Sequence, residues 1–179
     1  MFYILLAPGF EEMEALVPAD LLRRAGVEVA LVGVSGEIVP GGHDIAVKAD
    51  LPLSKVKMED MEGVMLPGGG VGVANLGADP RVEVLVKECA GQEKKISAIC
   101  AAPSLLSKWG LLGGKRAVCY PTWADRIPDA DFRAGEKLAE DGSIVTGQAA
   151  GASFEFGLKL IEVLLGAEAA QKVKKEIYL

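Results

Sequence analysis

Short apolar runs alternate with amphipathic helical stretches along the chain, and this alternation restricts the fold more than any single motif does. The runs "FYILLA" (2–7), "VEVALVGV" (27–34), "GVMLPG" (63–68), "KISAI" (95–99), "RAVC" (116–119) and "SIVT" (143–146) are bounded by glycine, proline or charge. Between them lie helical patterns. Val82, Leu85, Val86 and Cys89 fall at i, i+3, i+4 and i+7 and share one apolar face. Phe154, Leu158, Ile161 and Leu165, at i, i+4, i+7 and i+11, likewise share one face, with Glu155 and Lys159 one turn apart on another. Nearly continuous apolar strands alternating with such helices imply a mostly parallel sheet covered by helices on both faces. The segment 36–50 breaks the rhythm, and its Pro40-Gly41-Gly42 between two short alternating runs reads as a hairpin.

The chain of 179 residues, half of them apolar, is long enough to bury one core and short for two, so 1–179 reads as a single domain. The opening "MFYILLAPGFEE" has no basic leader and no small-residue cleavage site, and no apolar run reaches the length of a membrane helix. These features predict a cytoplasmic protein that does not partner membranes. A net charge of -6, without basic clusters interleaved with aromatics, argues against nucleic acid. Cysteines at 89, 100 and 119 are unpaired in spacing, and with one histidine they form no recognisable zinc motif, so neither a disulfide framework nor a metal site is expected.

In an open parallel sheet, reactive groups gather at the carboxyl ends of the strands. Cys100 falls at such an end. Ala98 and Ala102 flank it two places on either side, where the G-x-S-x-G nucleophile elbow needs small residues, and Pro103 suits the first turn of a following helix. A helix N-terminus would favour a thiolate. An unpaired cysteine is also a common inert core residue, and the elbow alone leaves both readings open. Cys89, on an apolar helical face, and Cys119, in an apolar run, fit the inert reading.

Two further segments bear on the choice. In "APGFEEMEALVPADLLRRAG", Glu11 and Glu12 open a helix, and Glu14 shares the face of Val17, Pro18 and Leu21. A carboxyl buried there would stay protonated and could donate to a neighbouring thiolate, the two titrating as a unit. Pro18 removes the amide that would bond the Glu14 carbonyl, which predicts a kink. In "MLPGGGVGVANLG" (65–77) the glycines fit neither phosphate-binding template, but a strand ending in Pro-Gly-Gly-Gly lets backbone amides approach a ligand and hold a developing oxyanion. A plain tight turn explains the run equally well.

Together, "EEMEALVPADLLRRAG", "LPGGG" with "NL" following, "AICAAPSLL" and "GASFEFGLKLIEVL" resemble, in order and over nearly the whole chain, the ThiJ/PfpI superfamily and within it the branch of YajL and the parkinsonism-associated deglycase. The resemblance implies a flavodoxin-like, doubly wound α/β fold of the class I glutamine amidotransferase type, a homodimer, and a reactive Cys100 paired with a protonated Glu14. It also implies an oxyanion-type pocket from the Gly69 and Ala101 amides, no cofactor, and Gly68, Tyr120, His43 and Arg24 as further pocket positions. The chain departs from the family pattern in three places. Tyr120 stands before Pro121 where the branch often has histidine, Ala101 follows the cysteine where the protease-like branch has its histidine, and His43 stands where the family often has arginine. A lone loop histidine usually sits in solvent, so a Cys-His peptidase is disfavoured and a proton relay falls to Glu14, water and Tyr120.

The function implied first is thiolate attack on a 2-oxoaldehyde such as methylglyoxal, or on its early glycation adducts, with Glu14 moving a proton between adjacent carbons. A second reading is a peroxide-responsive sensor or chaperone whose Cys100 becomes a sulfinate held by the same amides. A small-molecule hydrolase is a third. The first two use the same residues.

Overall fold

The computed structural model describes residues 1–179. The order along the chain is β1 (Phe2–Leu6), α1 (Glu12–Arg24), β2 (Val29–Gly33), β3 (Ile38–Pro40), β4 (Ala46–Lys48), β5 (Leu51–Pro52), β6 (Gly63–Leu66), α2 (Gly70–Ala78), α3 (Pro80–Gly91), β7 (Lys95–Ile99), α4 (Pro103–Lys108), β8 (Arg116–Ala117), β9 (Asp131–Phe132), β10 (Leu138–Asp141), β11 (Ile144–Gly147), α5 (Ser153–Leu165) and α6 (Ala167–Glu176). Short 3-10 turns cover Leu53–Lys55, Pro121–Arg126 and Ala150–Ala152.

Seven strands form one sheet in the order β10-β11-β7-β6-β1-β2-β5, with every pair parallel except β10 with β11. The five longer parallel strands therefore run β2-β1-β6-β7-β11, the mostly parallel sheet expected from the alternation in the flavodoxin-like order that the resemblance implies. Side chains alternate across each strand, and two cores result. Tyr3, Leu5 and Ala7 enter the core shared with α2, α3 and α4, while Phe2, Ile4 and Leu6 enter the one shared with α1, α5 and α6. β1 lies between β2 and β6, so the chain leaves β1 for the α1 face and leaves β6 for the α2 face. The loops diverge there and open a crevice at the carboxyl ends of β1 and β6.

The hairpin predicted over 36–50 is β3 paired antiparallel with β4. Gly42 donates to the Phe10 carbonyl and Gly9 to the Pro40 carbonyl, so the hairpin is fastened to the loop after β1. No helix is long and apolar enough to cross a membrane.

Three local expectations are corrected. The run 116–119 is not a strand of the main sheet: only Arg116 and Ala117 pair, with Asp131 and Phe132, and the Val118 amide donates to Thr146 Oγ1 at 2.9 Å instead of to a strand. β10 was hidden by its charges, and Gly142, at positive φ, starts the two-residue turn that joins it to β11. On α5 the buried stripe is Ser153, Phe156, Gly157, Leu160 and Ile161, whereas Phe154 and Leu165 are largely exposed. Accordingly Glu155 pairs with Lys137, and Lys159 pairs with Glu162 at 2.9 Å, not with Glu155.

α1 runs unbroken through Pro18 and packs against α5 at Gly157. A Cβ on Gly157 would lie 2.7 Å from Leu21 Cδ1 and 3.1 Å from the Pro18 Cα. Gly157→Ala should therefore lower stability by about 1 to 2 kcal/mol, because overpacking against backbone outweighs the gain in helix propensity. A urea midpoint equal to or above that of the unchanged protein would show that the α1–α5 contact has slack.

Candidate active site

Three chain segments converge in the crevice: residues 7–14 after β1, 67–70 after β6 and 99–103 after β7. Backbone bonds tie the first two to each other and the third to β11. Glu11 donates to the Gly68 carbonyl at 3.0 Å, Gly72 donates to the Gly9 carbonyl at 3.0 Å, and Cys100 donates to the Gly147 carbonyl at 2.9 Å.

Glu11 caps α1, its Oε2 accepting from the Glu14 amide at 2.7 Å. This cap fixes the first turn, and the next turn aims Glu14 inward, where the residue is fully buried. Glu14 Oε2 accepts from the Gly68 amide at 2.8 Å, and the nearby Ala150 amide also favours the charged form. Oε1 is buried without a hydrogen-bond partner, and the carboxyl as a whole lies beside the Cys100 thiol. Gly68 is required by this contact: a Cβ there would lie 2.3 Å from Glu14 Oε2 and 2.6 Å from Cys100 Cβ.

Cys100 sits at φ +64, a conformation that costs a non-glycine residue roughly 1 kcal/mol or more and that turns β7 sharply into α4. The Gly69 and Ala101 amides lie near the thiol and favour its charged form. Gly69 reaches that position at φ +87, and a side chain there would strike the Gly9 carbonyl. The thiol is half-buried, whereas Cys89 and Cys119 are buried.

Burial pushes the Glu14 carboxyl up to about 7, with the Glu11 charge adding to the rise and the Gly68 and Ala150 amides opposing it. Burial also pushes the Cys100 thiol up to about 12, reinforced by the charge of an ionised Glu14 and its hydrogen bond, against the pull of the Ala101 and Gly69 amides. The expectation that position at a helix N-terminus depresses this thiol is therefore corrected. α4 is a single short helix of six residues starting three places on, and burial beside a carboxylate outweighs it. With the proton on Glu14 the repulsion disappears and both amides favour the thiolate. The reactive form is the one in which the pair's single proton resides on the acid.

The remaining candidates fall in different places. Tyr120 is adjacent, its amide donating to the Cys100 carbonyl at 2.8 Å, and its hydroxyl makes no direct hydrogen bond to Cys100 or Glu14. His43 sits in the hairpin with its ring mostly exposed, its Nδ1 2.7 Å from Oε2 of the buried Glu12 and its amide 2.6 Å from Oε1. It braces the hairpin against α1 and stays outside the thiol pocket. Glu11, Glu12 and His43 do cluster, but hydrogen bonds within the group account for their arrangement. Arg24 does not reach the pocket of its own chain. It ends α1, about 15 Å along the helix from Glu14, and pairs with Asp20 at 2.7 Å and Glu176 at 3.2 Å. The Ala150 amide was missed, though the small-residue stretch "GQAAGAS" after β11 is the kind of segment that brings backbone close to a site.

The DJ-1/PfpI family model matches residues 2–163. The chain belongs to the DJ-1/PfpI family. It is 36% identical over 180 residues to the Parkinson disease protein 7 homolog of Danio rerio, covering 98% of this chain and 95% of that one. It is 30% identical to the glutathione-independent glyoxalase DJR-1.2 of Caenorhabditis elegans, covering 98% and 95%. The crystal structure of Drosophila melanogaster DJ-1beta superposes with a TM-score of 0.96 at 34% identity, covering 99% of this chain and 97% of that one. These likenesses extend over the whole doubly wound fold.

Because the Glu14 pKa rises from 4.5 to about 7 on folding, the folded state keeps a proton that the unfolded chain has lost between those values. Stability from this group is complete below the lower value and is lost as pH rises through the upper one. Glu14→Gln removes the titration, so its stability relative to the unchanged protein should grow across the window and level off above it, by at most about 3 kcal/mol. Urea midpoints of both proteins measured across this window check the sign, and a difference independent of pH would mean that Glu14 is ionised when folded.

Proposed function

We propose that the protein is a cysteine enzyme acting on 2-oxoaldehydes or on their early glycation adducts. The observation that carries this reading is the buried Glu14 carboxyl, one oxygen held by the Gly68 amide and the other without a hydrogen-bond partner, beside a thiol whose charged form the nearby Gly69 and Ala101 amides favour. The glyoxalase among its relatives supports the reaction class.

The Cys100 thiolate attacks the aldehyde carbon, and the oxygen takes the proton from Glu14 to give a hemithioacetal. The Gly69 and Ala101 amides stand beside the sulfur and stabilise the charge that moves from it to the oxygen. Glu14, now a carboxylate, removes the proton from the former aldehyde carbon and returns it to the adjacent carbonyl carbon. The hydroxyl proton on the first carbon passes to the oxygen of the second, so the first carbon is oxidised to a thioester as the second is reduced to an alcohol, and protons and electrons balance within the substrate. Water then releases a 2-hydroxy acid and restores the thiol. A cytoplasmic setting, where thiols stay reduced, suits this chemistry.

We also propose a homodimer. Met13 is exposed on α1, and Leu16 and Val17, at i+3 and i+4 from it, are only half-buried, leaving an apolar strip for a second copy to cover. Light scattering at micromolar concentration should give about twice the 18.7 kDa of one chain, and a mass near one chain would refute it.

Purified protein should convert methylglyoxal to lactate. Cys100→Ala should abolish this and Cys89→Ala leave it largely intact, while Glu14→Gln should lower kcat by two orders of magnitude or more, since an amide donates a hydrogen bond but shuttles no proton. A protein that leaves methylglyoxal untouched, yet whose Cys100 takes up two oxygens from dilute peroxide before Cys89 or Cys119 does, would favour the sensor reading instead.

A further inference from the structure

A groove of about 440 Å³ lies beside the thiol pocket without containing Cys100. Its walls are α2, α4 and the Pro121–Arg126 turn. One end abuts the proposed reaction centre. Gly70 directly follows Gly69, and Ser104 Oγ donates to the Ala101 carbonyl at 2.7 Å, so both amides that face the sulfur belong to segments that continue into the groove wall. The Pro121–Arg126 turn starts beside Tyr120, which is bonded to the Cys100 carbonyl, and ends in the groove.

The groove is asymmetric in charge. Ten residues line it, including Lys108 and Arg126 and no acid. Neither cation forms a salt bridge, in a chain whose net charge is -6. The nearby Asp129 accepts from Ser107 and does not pair with Lys108. The Arg126 guanidinium lies over the Trp123 ring, 5.2 Å from its centroid, which orders the side chain and limits the entropy lost on binding an anion. Between the Gly70 end and the cations the wall is apolar, formed by Val73, Ala74 and Leu105.

We infer that this groove binds the tail of an extended substrate: an apolar stem ending in a carboxylate or phosphate held by Lys108 and Arg126, with the 2-oxoaldehyde head at Cys100. The inference rests on the function proposed above and narrows its substrate class. α4 rises about 6 Å from Ser104 to Lys108 and α2 about 12 Å along the groove, which sets the reach of the stem. Methylglyoxal would occupy only the reaction centre and use none of this binding energy.

The test compares kcat/KM for a 2-oxoaldehyde joined by an aliphatic chain of about six carbons to a carboxylate, for its methyl ester, and for the corresponding phosphate. The unchanged protein should prefer the carboxylate or the phosphate to the ester by about tenfold or more, through KM. The stronger of the two identifies the anion. Lys108→Met with Arg126→Met should bring the ratio close to one, and Lys108→Arg should keep it. Equal use of acid and ester, or a preference that survives the double substitution, overturns the inference. If no aldehyde is turned over, the failure lies with the proposed function, and the groove is tested without chemistry. Trp109 is buried and Trp123 lines the groove, so Trp fluorescence is followed while the same chain ending in an alcohol and a carboxylate is added. Saturation that disappears in the double variant supports the anion site, and no saturation in the unchanged protein overturns it.

Discussion

One proton shared between a buried acid and a thiol governs this site. Neither group is comfortable there as an anion, because burial pushes both upward, and two negative charges side by side are worse than one. The pair therefore keeps a proton, and which atom holds it decides reactivity. Gly68 makes the arrangement possible by contributing an amide and no side chain, since any Cβ would occupy the space where the two groups meet. Glu11 acts on the same proton twice. Its carboxylate caps α1 and so places Glu14, and its charge disfavours ionisation of Glu14.

Holding the thiol at that point costs backbone energy. Cys100 occupies a left-handed conformation, and the structure offsets it by anchoring the residue on both sides, its amide on the Gly147 carbonyl and its carbonyl on the Tyr120 amide. Those anchors come from β11 and from the segment after β8, so the elbow is held by the neighbouring strand and a later loop as well as by its own strand. Ala101 can then present its amide to the sulfur instead of to another backbone group.

Features encoded by local spacing were legible in the sequence. Cys100 between small residues, Glu14 on an apolar helical face and glycines at a strand end each follow from a few neighbouring positions, and all meet in the crevice. Features set by distant packing were not. Phe154 has the right period for the core, but α5 is rotated so that Phe156 and Gly157 meet the sheet and α1, a choice fixed by the close approach of Gly157 to Pro18 and Leu21. The resemblance placed Arg24 near the pocket, while within one chain its partners, Asp20 and Glu176, hold it at the opposite end of α1. The thiol's direction of shift was misjudged because helix position was weighed without the carboxylate that folding brings beside it.

α1 also carries a comparison within itself. Glu12 and Glu14 are two residues apart and both buried, yet their environments drive them in opposite directions. Burial opposes the Glu12 charge too, but His43 donates through its amide and ring, and the carboxyl ends below its ordinary range, while the His43 imidazole is raised by the same bond. Glu14 meets a thiol and two amides instead of a cation, and stays above the usual range. The difference follows from the fold. Helical spacing turns Glu12 toward the hairpin β3–β4, where a donor waits, and turns Glu14 toward the crevice, where the remaining space belongs to the reacting atoms. A single helical turn thus supplies one carboxylate that fastens the hairpin to α1 and one carboxylic acid that can give its proton away.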